Sequence, residues 1–287
     1  MNAFNRNPST SAARKAALQA LSFDAAKDIT SAACVPSGAA CTARIIAKSD
    51  FVLCGIVEAD AVFRSRKVKA GWKFKEGQKV KKGSAVSFLS GNCRAILACE
   101  RTALNYLSFL SGIATRSSEA SKKYGKWKIA ATRKVLPNLS DSQKRAVLVG
   151  GCLAHRLNLA DGILIKDNHM AAIIRMRKCG KGKAIALALS SFPRSSFVEV
   201  EVSSVSEAVA AVEAGAKAIL ADNVSPAALR SIARAARKAK RSIIIEASGG
   251  ITLAAAGRYL KAGADFVSAS ELTMKIEPAD LSLEIDF

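Results

Sequence analysis

Two hydrophobic rhythms divide the chain. From Thr42 to Ser90, short apolar runs (Ala43 to Ala47, Val52 to Val57, Val86 to Leu89) are separated by glycine turns at Gly71, Gly77 and Gly83, which predicts a compact sheet. Residues Glu100 to Thr115 switch to a helical period: Ala103, Leu104, Leu107, Leu110 and Ile113 fall on one face, and Arg101, Asn105, Ser108 and Gly112 form a narrow polar stripe on the other. Beyond about Arg116 the texture alternates. Strands are expected at Lys128 to Arg133, Gly162 to Lys166, Phe197 to Val202, Ala216 to Asp222, Ser242 to Glu246 and Asp265 to Ser268, with amphipathic helices at Ser204 to Ala214, Pro226 to Lys240 and Leu253 to Ala262. This repeat of strand, loop and helix predicts a parallel sheet, and its spacing suits a (β/α) barrel, whole or open. Lys183 to Ser190 alternates Ala with Leu or Ile and fits strand and helix equally. Ahead of these elements, Ala12 to Leu21 reads as a helix. The first 23 residues hold Arg6, Arg14 and Lys15 and no acid, a composition shared by mitochondrial transit peptides, but a frayed tail leading into the helix is preferred because the arginines are few.

Composition narrows the class. The 287 residues are 50% hydrophobic, which excludes intrinsic disorder and suits one large or two medium domains. No apolar run approaches the roughly 18 to 20 residues that a membrane-spanning helix needs, so no membrane partner is expected. Seven scattered cysteines without a C-x-x-C pair fit reduced thiols in the cytoplasm, not a disulfide framework or a zinc site. The formal charge is +21, and the excess is local: residues 51–200 hold 28 Lys and Arg against 9 Asp and Glu. Such a surface attracts anions, among which nucleic acid, membrane and phosphorylated small molecules all qualify.

Candidate chemistry comes from the barrel expectation, because polar residues at the C-terminal ends of barrel strands face the active site. Arg133, Lys134, Lys166, Glu201, Asp222, Glu246 with Ser248, and Ser268 to Ser270 occupy such positions. Cations and carboxylates on one rim suit a polyanionic substrate carried with a divalent metal. Ser248-Gly249-Gly250, between a strand and a helix expected near Thr252, lets backbone amides approach a phosphate. Arg133, Lys134, His155 and Arg156 flank a helix that a capping box of Ser140 and Gln143 would open and Gly150-Gly151 would end. Four basic side chains there look like a pocket for a small di-acid, since arginine grips carboxylates bidentately. The two histidines, His155 and His169, lack a second ligand at metal spacing, and His169 sits where a helix cap is expected.

Taken together, these residues resemble the quinolinate phosphoribosyltransferase family. The resemblance runs from Asp28 to the C-terminus through Asp28-Ile29-Thr30-Ser31, Glu100-Arg101-Thr102-Ala103-Leu104-Asn105, Ser111-Gly112-Ile113-Ala114-Thr115, Thr132-Arg133-Lys134, His155-Arg156, Leu164-Ile165-Lys166-Asp167-Asn168-His169, Glu199-Val200-Glu201-Val202, Asp222-Asn223 and Ser248-Gly249-Gly250. It implies an α/β protein: an N-terminal α/β sandwich domain (1–115, completed by 271–287) and a C-terminal open (β/α) barrel of the type II phosphoribosyltransferase kind (116–270). It also implies the reaction of quinolinate with phosphoribosyl pyrophosphate to nicotinate mononucleotide, pyrophosphate and carbon dioxide, with Mg2+, in NAD biosynthesis.

By the same resemblance Arg133, Lys134, His155 and Arg156 hold the quinolinate carboxylates, Thr132 is a further substrate-binding residue, and Arg101 reaches the site of a neighbouring subunit in a homodimer or larger assembly. Glu201 and Asp222 meet the ribose hydroxyls and Mg2+, directly or through water. Lys134 and Lys166 meet the pyrophosphate, and Ser248, Gly249, Gly250, Ala269 and Ser270 the 5′-phosphate. Lys134, Lys166, Glu201 and Asp222 are the catalytic set.

Several positions depart from the family pattern: Val135 replaces a threonine, Asn138 and Ser140 a glycine and an arginine, and Cys152 and Ser270 glycines. They bear on affinity and on which aromatic acid is taken. One competing reading is a paralogue on the same scaffold, the molybdenum-transport-associated relative, against which Lys166-Asp167 speaks. Another is a nucleic-acid-binding protein, because Arg64 to Lys82 interleaves nine Lys or Arg with Trp72 and Phe74. Solvent-facing lysines on sheet strands are the preferred account of that segment.

Overall fold

A computed structural model describes residues 7–286 in two units; Arg6 and the rest of 1–6, part of the expected tail, lie outside the described residues, as does Phe287. The first unit comprises Asn7–Lys123, Lys134–Cys152 and the chain from Leu272 on. It opens with α1 (Thr10–Asp24), which Ser9 caps by accepting from the Ala12 amide, and which buries Ala13, Ala17 and Leu21 at four-residue spacing. After α2 (Ile29–Cys34), capped by Asp28, come β1 (Ala40–Ala47), β2 (Phe51–Val52), α3 (Ile56–Ser65), β3 (Lys69–Trp72), β4 (Lys79–Val80) and β5 (Ala85–Asn92). The strand expected over Val52 to Val57 is therefore cut short: Gly55 takes a left-handed φ of 107° and Ile56 begins a helix. Gly71 lies within β3 and not in a turn, whereas Gly77 and Gly83 have the positive φ of turn residues.

The expected 100–115 helix is the middle of α4 (Cys93–Tyr124), which buries Ile96, Cys99, Ala103, Leu107 and Leu110. The division expected at 115 falls inside this helix, and the compact units part at 123/124 instead. The polar stripe on α4 splits in two. Arg101 and Asn105 are exposed, but Ser108 donates to the Ala279 carbonyl, and a Cβ at Gly112 would overlap the Glu277 carbonyl.

Residues 134–152, expected in the barrel domain, group with the N-terminal unit. They carry α5 (Ser140–Val149), whose N-cap is Leu139 without a side-chain cap; the expected capping box is absent because the Gln143 side chain accepts from the Leu136 amide. A buried ion network holds α5. Arg145 pairs with both Glu58 and Glu76, Ser142 donates to Glu58 at 2.6 Å, and Glu76 also accepts from the amides of Gly55 and Ile56 at the start of α3. Arg145→Ala is expected to destabilise this unit by about 3–5 kcal/mol, because it leaves the fully buried Glu58 carboxylate uncompensated. Urea unfolding checks this, and a loss within about 1 kcal/mol would make the network incidental.

The second unit, Tyr124–Arg133 with Leu153–Glu271, alternates strand and helix: β6 (Ile129–Ala130), β7 (Ile163–Ile165), α6 (Asp167–Arg177), α7 (Lys181–Ser190), β8 (Val198–Val202), α8 (Val205–Glu213), β9 (Ala218–Asp222), α9 (Pro226–Ala239), β10 (Ile244–Ser248), α10 (Ala256–Ala262) and β11 (Phe266–Ser268). The ambiguous Lys183 to Ser190 is helical, and Thr252 precedes the start of α10 by four residues. All strand pairs are parallel, in the order β6-β11-β10-β9-β8-β7. Among the described residues β6 and β7 do not pair, so the barrel is open. Ala130, Leu153, Ala218 and Phe266 form its core, with Trp127, Phe197 and Ile244 packed against them.

The chain then returns to the first unit through α11 (Glu271–Met274) and β12 (Leu281–Asp286), which completes the sheet β12-β1-β5-β3 by pairing antiparallel with β1. On this sheet Arg44 and Asp286 form a bidentate pair at 2.8 and 3.0 Å. The lysines from Lys67 to Lys82 are all exposed, Trp72 is tied to Asp60 through its indole N–H at 3.3 Å, and Lys81 pairs with Asp50. No described helix is long and apolar enough to cross a membrane.

Candidate active site

Because the six barrel strands run parallel, their C-terminal ends share one rim, and the rim is where the sequence placed its chemistry. Thr132 and Arg133 follow β6, Lys166 follows β7, Glu201 is the last but one residue of β8, Asp222 closes β9, and Ser248 and Ser268 close β10 and β11. A cavity inside this unit is lined by Thr132, Arg133, His155, Arg156, Leu164, Lys166, Leu220, Glu246, Ser248 and Ser268. A second cavity shares Arg156 and Leu164 but is otherwise walled largely by Leu159, Ile163, Ile165, Ile173 and Phe192. Of these two, the first gathers several cations with a carboxyl group, Glu246, which is the arrangement that a charged substrate needs.

Its cationic wall comes from the loop after Leu153. Arg156 is 7% exposed and donates to the Gly162 carbonyl at 3.0 Å, while Asp161 accepts from the Leu157 amide at 2.8 Å and folds the loop. Burial first, and then the charge of Arg133, depress the Arg156 guanidinium, with Glu199, Asp161 and Glu246 opposing; an arginine stays charged regardless. Two guanidinium groups that repel each other across a cavity are a ready receptor for a di-anion. His155 is held with Nε2 3.1 Å from Glu199 Oε2 and its ring edge-on to Phe266, the centroids 6.4 Å apart at 87°.

Opposite charge collects at the ends of β8 and β9. Lys166 Nζ stands 3.9 Å from Glu201 Oε2. Burial, and after it the neighbouring Asp222 charge, raise the Glu201 carboxyl, and Lys166 pulls it back. Two hard oxygen donors that destabilise each other's charge fit a divalent cation such as Mg2+. Asp222 accepts from the Asn223 side chain at 2.6 Å, and Asn223 N–H donates to the Ser248 carbonyl at 3.1 Å, joining this corner to the glycine turn. Gly249 and Gly250 have φ of 91° and 61°, and a Cβ on Gly249 would collide with the Asn223 backbone, so only glycine fits there.

Not every expected residue joins this cavity. The Ala269 amide is committed to the Ala130 carbonyl and its side chain is buried, which leaves Ser270 as the polar group of that turn. Helix α10 starts at Ala256, too far along the chain for its N-terminus to extend the Ser248–Gly250 turn as expected. Lys134 and Arg101 are exposed residues of the first unit, and the Lys134 carbonyl accepts from Thr273 at 2.7 Å. His169 is a cap: its Nδ1 accepts from the Lys166 amide at 2.9 Å. Glu199 was passed over in the sequence, although a carboxylate in the middle of a Val-rich parallel strand is itself a signal. It is 1% exposed, and burial pushes its carboxyl up to about 7, with Glu246 and Arg156 working against that rise.

Comparison with known proteins places this geometry. The family model of the quinolinate phosphoribosyl transferase C-terminal domain matches residues 113–284, and that of the N-terminal domain matches residues 28–111. A Methanocaldococcus jannaschii protein named "Probable nicotinate-nucleotide pyrophosphorylase (carboxylating)" is 38% identical over 266 residues, covering 90% of this chain and 91% of its own. The human nicotinate-nucleotide pyrophosphorylase (carboxylating) is 36% identical over 88% of this chain and 85% of its own. The crystal structure of NadC from Streptococcus pyogenes superposes with a TM-score of 0.86 at 33% identity, over 98% of this chain and 99% of that one.

Proposed function

The chain belongs to the quinolinate phosphoribosyltransferase family, and we propose that it transfers the phosphoribosyl group of phosphoribosyl pyrophosphate to quinolinate, releasing pyrophosphate and carbon dioxide and leaving nicotinate mononucleotide for NAD synthesis. The observation that carries this reading is a cavity lined by Arg133, Lys166 and the buried Arg156, whose Lys166 stands 3.9 Å from Glu201 at the neighbouring strand end, where Asp222 adds a second carboxylate. A dianionic acceptor and a donor that develops positive charge need both.

Arg133, Arg156 and His155 would hold the quinolinate carboxylates, with Thr132 beside them. Holding the acceptor fixes its ring nitrogen toward ribose C1, and most of the rate gain comes from that positioning. As the C1–oxygen bond to pyrophosphate breaks, positive charge grows at C1. Glu201 and Asp222 would stabilise it, while Lys166, with Lys134 next in the chain to Arg133, would neutralise the leaving pyrophosphate. Glu201 and Asp222 also suit Mg2+, which when bound would add its charge to the same neutralisation. Ser248, Gly249, Gly250 and Ser270 would receive the 5′-phosphate. Once the pyridine nitrogen is quaternary, its own positive charge stabilises the carbanion left at C2 when carbon dioxide departs. A proton then replaces the lost carboxylate.

The enzyme works as a homodimer or larger assembly, in the cytoplasm, with Arg101 of one subunit completing the acceptor pocket of another. The paralogue reading is not favoured, since the relatives named above are carboxylating enzymes. The lysines of residues 67–82 are read as a solvated edge: Lys69 lies on β3, the edge strand of its sheet, where lysines deter strand addition. Purified protein mixed with quinolinate, phosphoribosyl pyrophosphate and Mg2+ is expected to yield nicotinate mononucleotide and carbon dioxide in equal amounts. Turnover with nicotinate but not quinolinate would sink the acceptor assignment.

A further inference from the structure

Two carboxyl groups beside the barrel cavity are not used by the transfer chemistry above: Glu246 lines the cavity, and Glu199 lies close to Glu246 and His155. Glu199 on β8 and Glu246 on β10 are 1% and 3% exposed, and β9 runs between their strands. One oxygen of each is engaged: Glu199 Oε2 lies 3.1 Å from His155 Nε2, and Ser268 donates to Glu246 Oε1. The other two oxygens, Glu199 Oε1 and Glu246 Oε2, are buried with no donor among the described residues. The three ligating atoms of His155, Glu199 and Glu246 all lie within 4.8 Å of one another. Two carboxylates this close and this dry repel each other, and each orphaned oxygen costs desolvation energy. A single proton held between the two groups removes both difficulties, since a neutral carboxyl is a donor. His155 faces Glu199 Oε2 and can donate to it, which favours a charged Glu199. Glu246 has only the neutral Ser268 hydroxyl among the described residues, so its unpartnered Oε2 is the place for the proton; burial, reinforced by the charge of Glu199, pushes Glu246 the same way.

We propose that Glu246 is a positioning residue for the acceptor pocket: as a neutral acid it hydrogen-bonds Glu199, and Glu199 in turn fixes the His155 ring at the cavity wall in one orientation. The inference rests on the phosphoribosyltransferase reading. The charged groups around this chain of contacts are Arg156 and Asp161 from the loop after Leu153 and Arg133 from the loop after β6. Ser268 on β11 supplies the remaining bond. Phe266 meets the ring edge-on at 87°, so the carboxyl chain and the aromatic contact together favour one pose for His155.

Kinetics on the full-length enzyme test this. Glu246→Ala is expected to raise the KM for quinolinate about tenfold or more, while the KM for phosphoribosyl pyrophosphate stays within about twofold. Glu246→Gln keeps a donor toward Glu199 and an acceptor for Ser268 without a charge, and should recover most of the lost affinity. In difference infrared spectra, the carbonyl stretch of a buried neutral carboxylic acid should be present in the wild type and absent in Glu246→Gln. Should Glu246→Ala fail to fold, the glutamine variant and the infrared band decide alone. A glutamine variant as impaired as Glu246→Ala, or a missing band, would mean that Glu246 acts as a carboxylate or as a ligand for a divalent cation, and overturns the proposal. If the wild type itself leaves quinolinate untouched, the phosphoribosyltransferase reading fails first; if it turns over and the glutamine variant does not, only the role of Glu246 falls.

Discussion

Glu201→Gln is expected to lower kcat about 100- to 1,000-fold and to leave the KM for quinolinate nearly unchanged. The substitution keeps the shape of a half-buried side chain at the end of β8 and removes only its charge, so folding is spared. What is lost is an interaction made in the transition state, where C1 of the ribose turns cationic and an adjacent fixed carboxylate lowers the barrier. The acid limb of the rate profile offers an independent check. Burial and the Asp222 charge both raise the Glu201 carboxyl, so its working, ionised form is lost as the pH falls through that raised value. Asp222→Asn deletes one of the two causes. It should therefore move the acid limb toward lower pH, as well as slowing the reaction. Steady-state rates between acidic and neutral pH measure both effects. A Glu201→Gln enzyme that keeps more than about a tenth of kcat would remove Glu201 from the chemistry.

The rim was legible in the sequence for a physical reason: in a parallel (β/α) unit the chain repeats one element pair, and the residue after each Val- or Ile-rich strand must lie at the same end. Lys166, Glu201, Asp222 and Ser248 follow from that rule alone. Where local and tertiary forces disagree, sequence reading fails. The run from Val52 to Val57 has strand character throughout, but Glu76 accepts from the amides of Gly55 and Ile56 and stabilises a helix start that no neighbouring residue announces. Gln143 has the spacing of a capping box with Ser140, yet its side chain serves the Leu136 amide, seven residues back. Ion pairs such as Arg145 with Glu58 join residues 87 apart, which explains why α5 groups by contacts with the N-terminal unit although its place in the chain gives no sign of it. Glu199, though part of a recognised motif, received no role for the opposite reason. Alternation puts Glu199 and Glu201 on one face of β8, and the eye stops at the strand end, whereas burial isolates the inner of the two.

Mixing two inactive variants should restore activity. Arg101→Ala and Arg156→Ala are each expected to reduce kcat/KM for quinolinate by about 100-fold or more, because each removes a cation from a dianion that arginines grip in pairs. Arg101 is exposed on α4 and is not among the helix's buried residues, so its loss should leave the unfolding transition in place. Arg156 is buried in the barrel unit, and its variant serves as the complementary lesion. If Arg101 completes the pocket of a neighbouring subunit, a hybrid dimer carries one site with both lesions and one site with neither. Random exchange between equal amounts of the two variants then gives about a quarter of the wild-type sites. Recovery of that fraction, growing with the time course of subunit exchange and absent when either variant is incubated alone, is the expected outcome. If differently tagged subunits exchange and no activity returns, Arg101 serves its own chain or none, and the shared site is wrong.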